Sequence, residues 1–124
     1  MLYINRRVLI ADDQSPPRQE LREYLRHTGC AIVGEARNTD DVLMKFESLQ
    51  PDVVFIDVTL LGTIDALVAI KRMRQMDPSV TIFATATASQ QSVLMEALTM
   101  GAVDFILKPF QAHSVRSCLE RNLG

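Results

Sequence analysis

The sequence has little of what marks a specialised class of protein. Its two cysteines, Cys30 and Cys118, stand far apart, with no CxxC motif and no Cys/His cluster. That excludes a zinc site and a disulfide framework, and leaves two reduced thiols of a cytosolic protein. No apolar run approaches the roughly 18 residues of a membrane span. The N-terminus lacks the h-region of a signal peptide, because Arg6-Arg7 precedes only a short apolar stretch before Asp12. Neither sign of charge dominates: 13 Lys and Arg face 15 Asp and Glu, a net charge of −2. This excludes a nucleic-acid module driven by bulk positive charge and a polybasic membrane binder. There is no linker, repeat or low-complexity stretch, so the expectation is a cytoplasmic globular protein.

What is present is a rhythm. The 124 residues suit one domain, 1–124, long enough to bury a core. Near-continuous apolar runs occur at Val8–Ala11, Val53–Ile56, Thr81–Ala84 and Phe105–Leu107, with a mixed run at Ala31–Ala36. Such runs predict strands buried on both faces, and the mixed one an edge strand. Between them, apolar residues recur at helical spacing: Leu21/Leu25, Val42/Phe46/Leu49, Leu67/Ile70/Met73, Leu94/Leu98 and Val115/Leu119. Boundary signals agree. Ser15-Pro16-Pro17 reads as a cap followed by proline, Thr39-Asp40-Asp41 opens the second helix, Pro51 and Pro78 close helices, and Gly101 lies just past the fourth. The resulting five-fold β-α alternation predicts a doubly wound parallel sheet with helices on both faces. Two strand orders satisfy it. In either, the working site lies beyond the carboxyl ends of the strands.

Those ends carry acids and a lysine. The first strand ends in Asp12-Asp13, the third in Asp57, the fourth in Thr85-Ala86-Thr87 and the fifth in Lys108-Pro109. If the first and third strands are neighbours, three carboxylates converge. Like charges repel unless a cation sits among them. Oxygen ligands without His or Cys suit Mg²⁺. A metal and a lysine beside a carboxylate suit a phosphoryl group, with the carboxylate as nucleophile.

The chain resembles the receiver domain of two-component response regulators, the chemotaxis-type fold, along its whole length. VLIADD at 8–13, PDVVFIDVTL at 51–60 and GAVDFILKPF at 101–110 carry the resemblance. It implies a flavodoxin-like sheet of order 2-1-3-4-5 with five helices. It also implies a signalling switch rather than an enzyme acting on other substrates. Asp57 would be the phosphoacceptor. Asp12, Asp13, Asp57 and the Thr59 carbonyl would bind Mg²⁺, Lys108 would pair with the phosphoryl group, and Pro109 would follow a cis peptide. The implied partners are a histidine kinase or phosphotransfer protein and a downstream protein target or effector domain. The face formed by the fourth helix, fifth strand and fifth helix would carry output or homodimer contacts.

Three features depart from the family pattern. The loop Leu60-Leu61-Gly62-Thr63-Ile64-Asp65-Ala66 is one residue longer than usual, lacks the usual proline, and has Ala66 where glycine is common; Gly62 offers the flexibility instead. Counting from Pro78 and from Lys108 puts Ala86 where the family carries a switch Thr or Ser. A local bulge would be needed to bring in Thr85 or Thr87. Phe105 takes the place of the switch aromatic and has no hydroxyl; it is either that switch or a core residue. The Ala86 count motivates an alternative, a pseudo-receiver that binds partners without productive switching. A flavin-type phosphate loop is disfavoured by Asp12-Asp13. His27 and His113 fall in predicted helices, away from any Ser/His/Asp arrangement. The fourth helix has Glu96 as its only charge, so it is either a partner surface or mostly buried.

Overall fold

In the computed structural model, which describes residues 3–124, strands and helices alternate throughout. They are β1 (Arg7–Ala11), α1 (Ser15–His27), β2 (Ala31–Ala36), α2 (Thr39–Leu49), β3 (Val53–Asp57), α3 (Ala66–Met76), β4 (Thr81–Thr87), α4 (Gln91–Met100), β5 (Asp104–Lys108) and α5 (Ala112–Leu123). A 3₁₀ turn, Ala88–Gln90, precedes α4. The strands are parallel in the order β2-β1-β3-β4-β5, with the mixed strand β2 at one edge as its sequence predicts.

Strand alternation sorts the core into two layers. Leu9, Ala11, Val54, Ile56, Ile82 and Ala84 meet the apolar stripes of α2, α3 and α4, including Phe46, Ile70 and Leu94. Val8, Ile10, Val53, Phe55, Phe83 and Ile106 face Leu21, Leu25, Val115 and Leu119 of α1 and α5. β3 is buried along its full length, because helices cover both sides of it. Phe55 and Phe83 pack across β3 and β4 with ring centroids 4.9 Å apart. Cys118 lies in the second layer, where burial pushes its thiol up to about 12 and keeps it protonated.

The first helix begins one residue away from its local signal. Gln14, not Ser15, is the N-cap of α1, and Ser15 is its first helical residue. The turn is closed from outside the helix: the Asp12 carboxylate accepts the Gln14 amide at 2.9 Å. α2 is capped by Asn38, whose side chain accepts the Asp41 amide at 2.7 Å, with Asp40 and Asp41 in the first turn where the helix dipole favours acids. Gly101 ends α4 at φ +136°, a conformation that costs other residues. β1 and β2 slip register between Val8 and Leu9, so that Ile10 lies opposite Glu35. Through this bulge Glu35 shares the face of α1.

Candidate functional site

Four side chains of the site follow from the same alternation. Each lies two residues beyond a core residue of the α1/α5 layer: Asp12 after Ile10, Asp57 after Phe55, Thr85 after Phe83 and Lys108 after Ile106. All four therefore share one face of the sheet at its carboxyl end. β1 and β3 are direct neighbours, and Asp57 lies opposite Thr85 in the β3/β4 register.

Lys108 closes the arrangement. Its Nζ donates to Asp12 Oδ2 at 2.7 Å and also to Asp57 Oδ2. The three side chains are nearly inaccessible, at 11% for Lys108, 4% for Asp12 and 6% for Asp57. Two carboxylates can stay so close, away from water, only because one ammonium serves both. Burial works against the Lys108 charge, but its bonds to Asp12 and Asp57 outweigh that and hold it above its ordinary 10.5. The Lys108–Pro109 peptide is cis.

The second oxygen of each acid also has a partner. The Thr59 amide donates to Asp57 Oδ1 at 2.7 Å, and the Thr59 hydroxyl donates to the same oxygen. The Gln14 amide takes Asp12 Oδ1. Asp57 thus has one oxygen on a loop and one on a lysine, an orientation fixed before any ligand arrives.

Sequence expectation and structure part company at two residues. Asp13 is exposed, and among the described residues no group of three potential metal-ligating side chains is assembled. The predicted three-way convergence of carboxylates is therefore not formed. Lys108 is shared between Asp12 and Asp57, leaving the buried group one acid in excess, while Asp13 lies in water. The second difference is Ala86. It is fully buried in the α2–α4 layer, on the face away from Asp57. Thr85 stands beside Asp57 without any bulge, and its carbonyl accepts the Val58 amide at 3.0 Å. A fixed count misses this because it ignores face: Ile82, Ala84 and Ala86 share one parity, Phe83 and Thr85 the other. Thr87 lies opposite Lys108 but is exposed, with its side chain and amide tied to Ser89 and Gln90 in a capping box.

One contributor does not stand out in the sequence. Arg18 is buried, donates to the Asp12 carbonyl at 2.9 Å, and pairs with Glu35, which also binds Arg22. This bridge ties the end of β1 to the edge strand. Arg18 falls on the buried face of α1, beside Leu21 and Leu25, and a cation at that position is the signal that could have flagged it.

The oxygen-only donors, with an excess of acid over base, fit a hard divalent cation. At the far side of the site, Phe105 is 37% exposed, so it is not a core residue, and Met95 of α4 and Val103 are exposed as well. α4 itself buries Leu94 and Ala97 and turns Met95 outward, so it is both packed and open.

A model of the response regulator receiver domain matches residues 8–120. The chain is 35% identical to a chemotaxis protein CheY of Thermotoga maritima over 95% of this chain and 98% of that protein. It is 34% identical to a chemotaxis protein CheY of Bacillus subtilis over the same shares. The crystal structure of the receiver domain of NtrX from Brucella abortus superimposes with a TM-score of 0.83 at 26% identity, covering 92% of this chain and 95% of that one.

Proposed function

Because the chain belongs to the response regulator receiver domain family, we propose that it is a phosphorylation-dependent switch with Asp57 as its phosphoacceptor. The observation that carries this reading is the buried Asp12–Lys108–Asp57 group at matching strand ends. Structural ion pairs are seldom built with two buried acids on one base, because the desolvation cost is high. A site that must receive an anionic group has a use for such an arrangement.

In the proposed reaction, a histidine kinase or phosphotransfer protein presents phosphohistidine. A carboxylate oxygen of Asp57 attacks phosphorus in line. The P–N bond breaks, its electron pair leaves with the imidazole, and that nitrogen takes a proton from solvent. The product is an acyl phosphate on Asp57. Mg²⁺ would be held by Asp12, Asp57 and the Thr59 carbonyl, joined by Asp13 from its exposed position, and would supply Lewis-acid stabilisation of the phosphoryl oxygens. Thr59 aims the Asp57 carboxylate. Lys108 moves its charge from two carboxylates to the arriving phosphoryl oxygens, and the Thr85 hydroxyl offers a further donor from the adjacent strand. Beyond its own phosphoryl transfer and loss, the chain performs no catalysis in this reading.

Output would pass through Thr85 and Phe105 to the face formed by α4, β5 and α5. A downstream protein, an effector domain or a second copy would bind there, in the cytoplasm, with residues 1–124 acting as one domain. A pseudo-receiver has less to recommend it, since its motive is Ala86 and Thr85 supplies the hydroxyl. Incubation with a small phosphodonor and Mg²⁺, read by intact mass, tests the proposal. One phosphoryl adduct on the wild type and none on Asp57→Asn is the expected result. An adduct that survives Asp57→Asn would overturn it.

A further inference from the structure

The loop after β3 departs from the usual pattern, with an added residue and no proline, and the structure shows what restrains it instead. Three bonds tie the loop to the first turn of α2. The Thr39 amide donates to the Leu61 carbonyl at 2.8 Å, the Thr39 hydroxyl to the Ile64 carbonyl at 2.6 Å, and the Thr63 amide to Asp40 Oδ2 at 3.0 Å. Thr39 is fully buried. Gly62 sits where no side chain fits: an added Cβ would lie 2.0 Å from Thr39 Oγ1 and 3.0 Å from Asp40 Oδ2. Gly62 is therefore required for close approach, rather than for the flexibility its sequence position suggests.

We propose that Thr39, Asp40 and Gly62 form a clamp that positions the acceptor loop, making the N-terminus of α2 part of the phosphorylation machinery. This rests on Asp57 being the phosphoacceptor. The connection is short. Leu61 follows Thr59 by two residues, with Leu60 buried between them as a pivot. Thr59 holds Asp57 Oδ1 through its amide and hydroxyl. A loop without proline has more conformations to lose on ordering. Bonds from a rigid helix supply that restraint from outside. The Thr63 amide holds the Asp40 carboxyl below its ordinary range, so the charged acceptor persists through neutral pH. Thr39, Asp40 and Gly62 are positioning residues: they touch the loop and not the reacting atoms.

Thr39→Val removes the hydroxyl at nearly constant shape, Gly62→Ala forces the loop off the helix, and Thr39→Ser keeps the hydroxyl. Asp40→Ala, at an exposed position, removes the Thr63 bond and one of the two first-turn acids of α2, with Asn38 still capping the helix. Losing one such hydrogen bond corresponds to about a tenfold change. The first two variants should slow phosphoryl uptake from a small phosphodonor about tenfold. They should weaken Mg²⁺ binding and speed hydrogen exchange at the Thr59 and Thr63 amides by a similar factor. Phe46 in α2 should exchange as in the wild type. Thr39→Ser should stay within about twofold, and Asp40→Ala should show a smaller effect of the same sign. Wild-type uptake and unchanged Thr59 exchange in Thr39→Val, Gly62→Ala and Asp40→Ala would overturn the clamp. If the wild type itself takes up no phosphoryl group, the phosphoacceptor reading fails, while Mg²⁺ titration and Thr59 exchange still decide whether the clamp orders the loop.

Discussion

The two ends of the same sheet solve the problem of charge in opposite ways. At the amino ends, charged groups meet their partners near water. The Arg7 amide donates to Asp52 at 2.9 Å, and the Arg7 guanidinium donates to the Leu49 and Gln50 carbonyls at 2.7 and 2.8 Å. Asp77 accepts the Ser79 amide and hydroxyl, and Asp104 of β5 pairs with Arg121 and Asn122 of α5. These contacts finish helix ends and strand starts. At the carboxyl ends, two acids are buried against one lysine and a third waits in water. One end is satisfied and stabilising. The other is held by a shared counter-ion, and any arriving anion or cation changes its balance. The strands between them are ordinary core, and the shared-lysine group stands just past the last inward apolar positions of β1, β3 and β5.

Removing charges at each end sharpens this contrast. Lys108→Met should have the largest effect, because it leaves Asp12 and Asp57 facing each other without a cation. The expected loss is about 2 kcal/mol at neutral pH, below the cost of breaking a fully buried pair because the site opens to solvent. Chemical denaturation at neutral pH checks it. Arg7→Ala at the opposite end should cost about 1 kcal/mol, the worth of its exposed bonds to the α2 terminus, and should leave phosphoryl uptake at the wild-type rate. Asp104→Asn should matter least, about 0.5 kcal/mol, because its partner Arg121 is largely exposed and the amide keeps the shape of the acid. Burial pushes the Asp104 carboxyl up, but Asn122, the Phe105 amide and Arg121 outweigh it, and the carboxyl lies below its ordinary 3.8. Its contribution is therefore present above pH 3.8 and lost as pH falls through the lower folded value. Asp104→Asn should flatten the stability profile in that window alone.

Much of this contrast is legible in the sequence, and the misses have physical causes. The apolar runs mark β1, β3 and β4 because these inner strands are covered on both sides, and the mixed pattern of Ala31–Ala36 marks one edge; the run Phe105–Leu107 reads as buried on both faces, yet β5 is the other edge and only Ile106 in it is buried. Asp12, Asp57 and Lys108 are readable because each directly ends such a run. A count from Lys108 puts Ala86 beside Asp57 because it ignores the face a residue occupies; extending the alternation of Phe83 puts Thr85 there instead. Asp13 is expected inside the cluster, but it lies past the end of β1 and is exposed. Ser15 reads as a cap because its type favours that role, yet Asp12 already closes the turn. Arg18 and the Thr39 clamp depend on contacts between distant segments, through a bulge in β2 and a glycine that admits the loop. No local pattern encodes those.

Filling the carboxyl-end site should be felt at Thr85 and Phe105. Nuclear magnetic resonance of the chain with Mg²⁺ alone, and then with Mg²⁺ and a beryllofluoride phosphoryl mimic, tests it most directly. The mimic should move the Thr85 and Phe105 signals, leave those of Arg7 and Asp52 in place, and lose its effect on Phe105 in Thr85→Val. A mimic that binds at Asp57 while Thr85 and Phe105 keep their signals would contradict it.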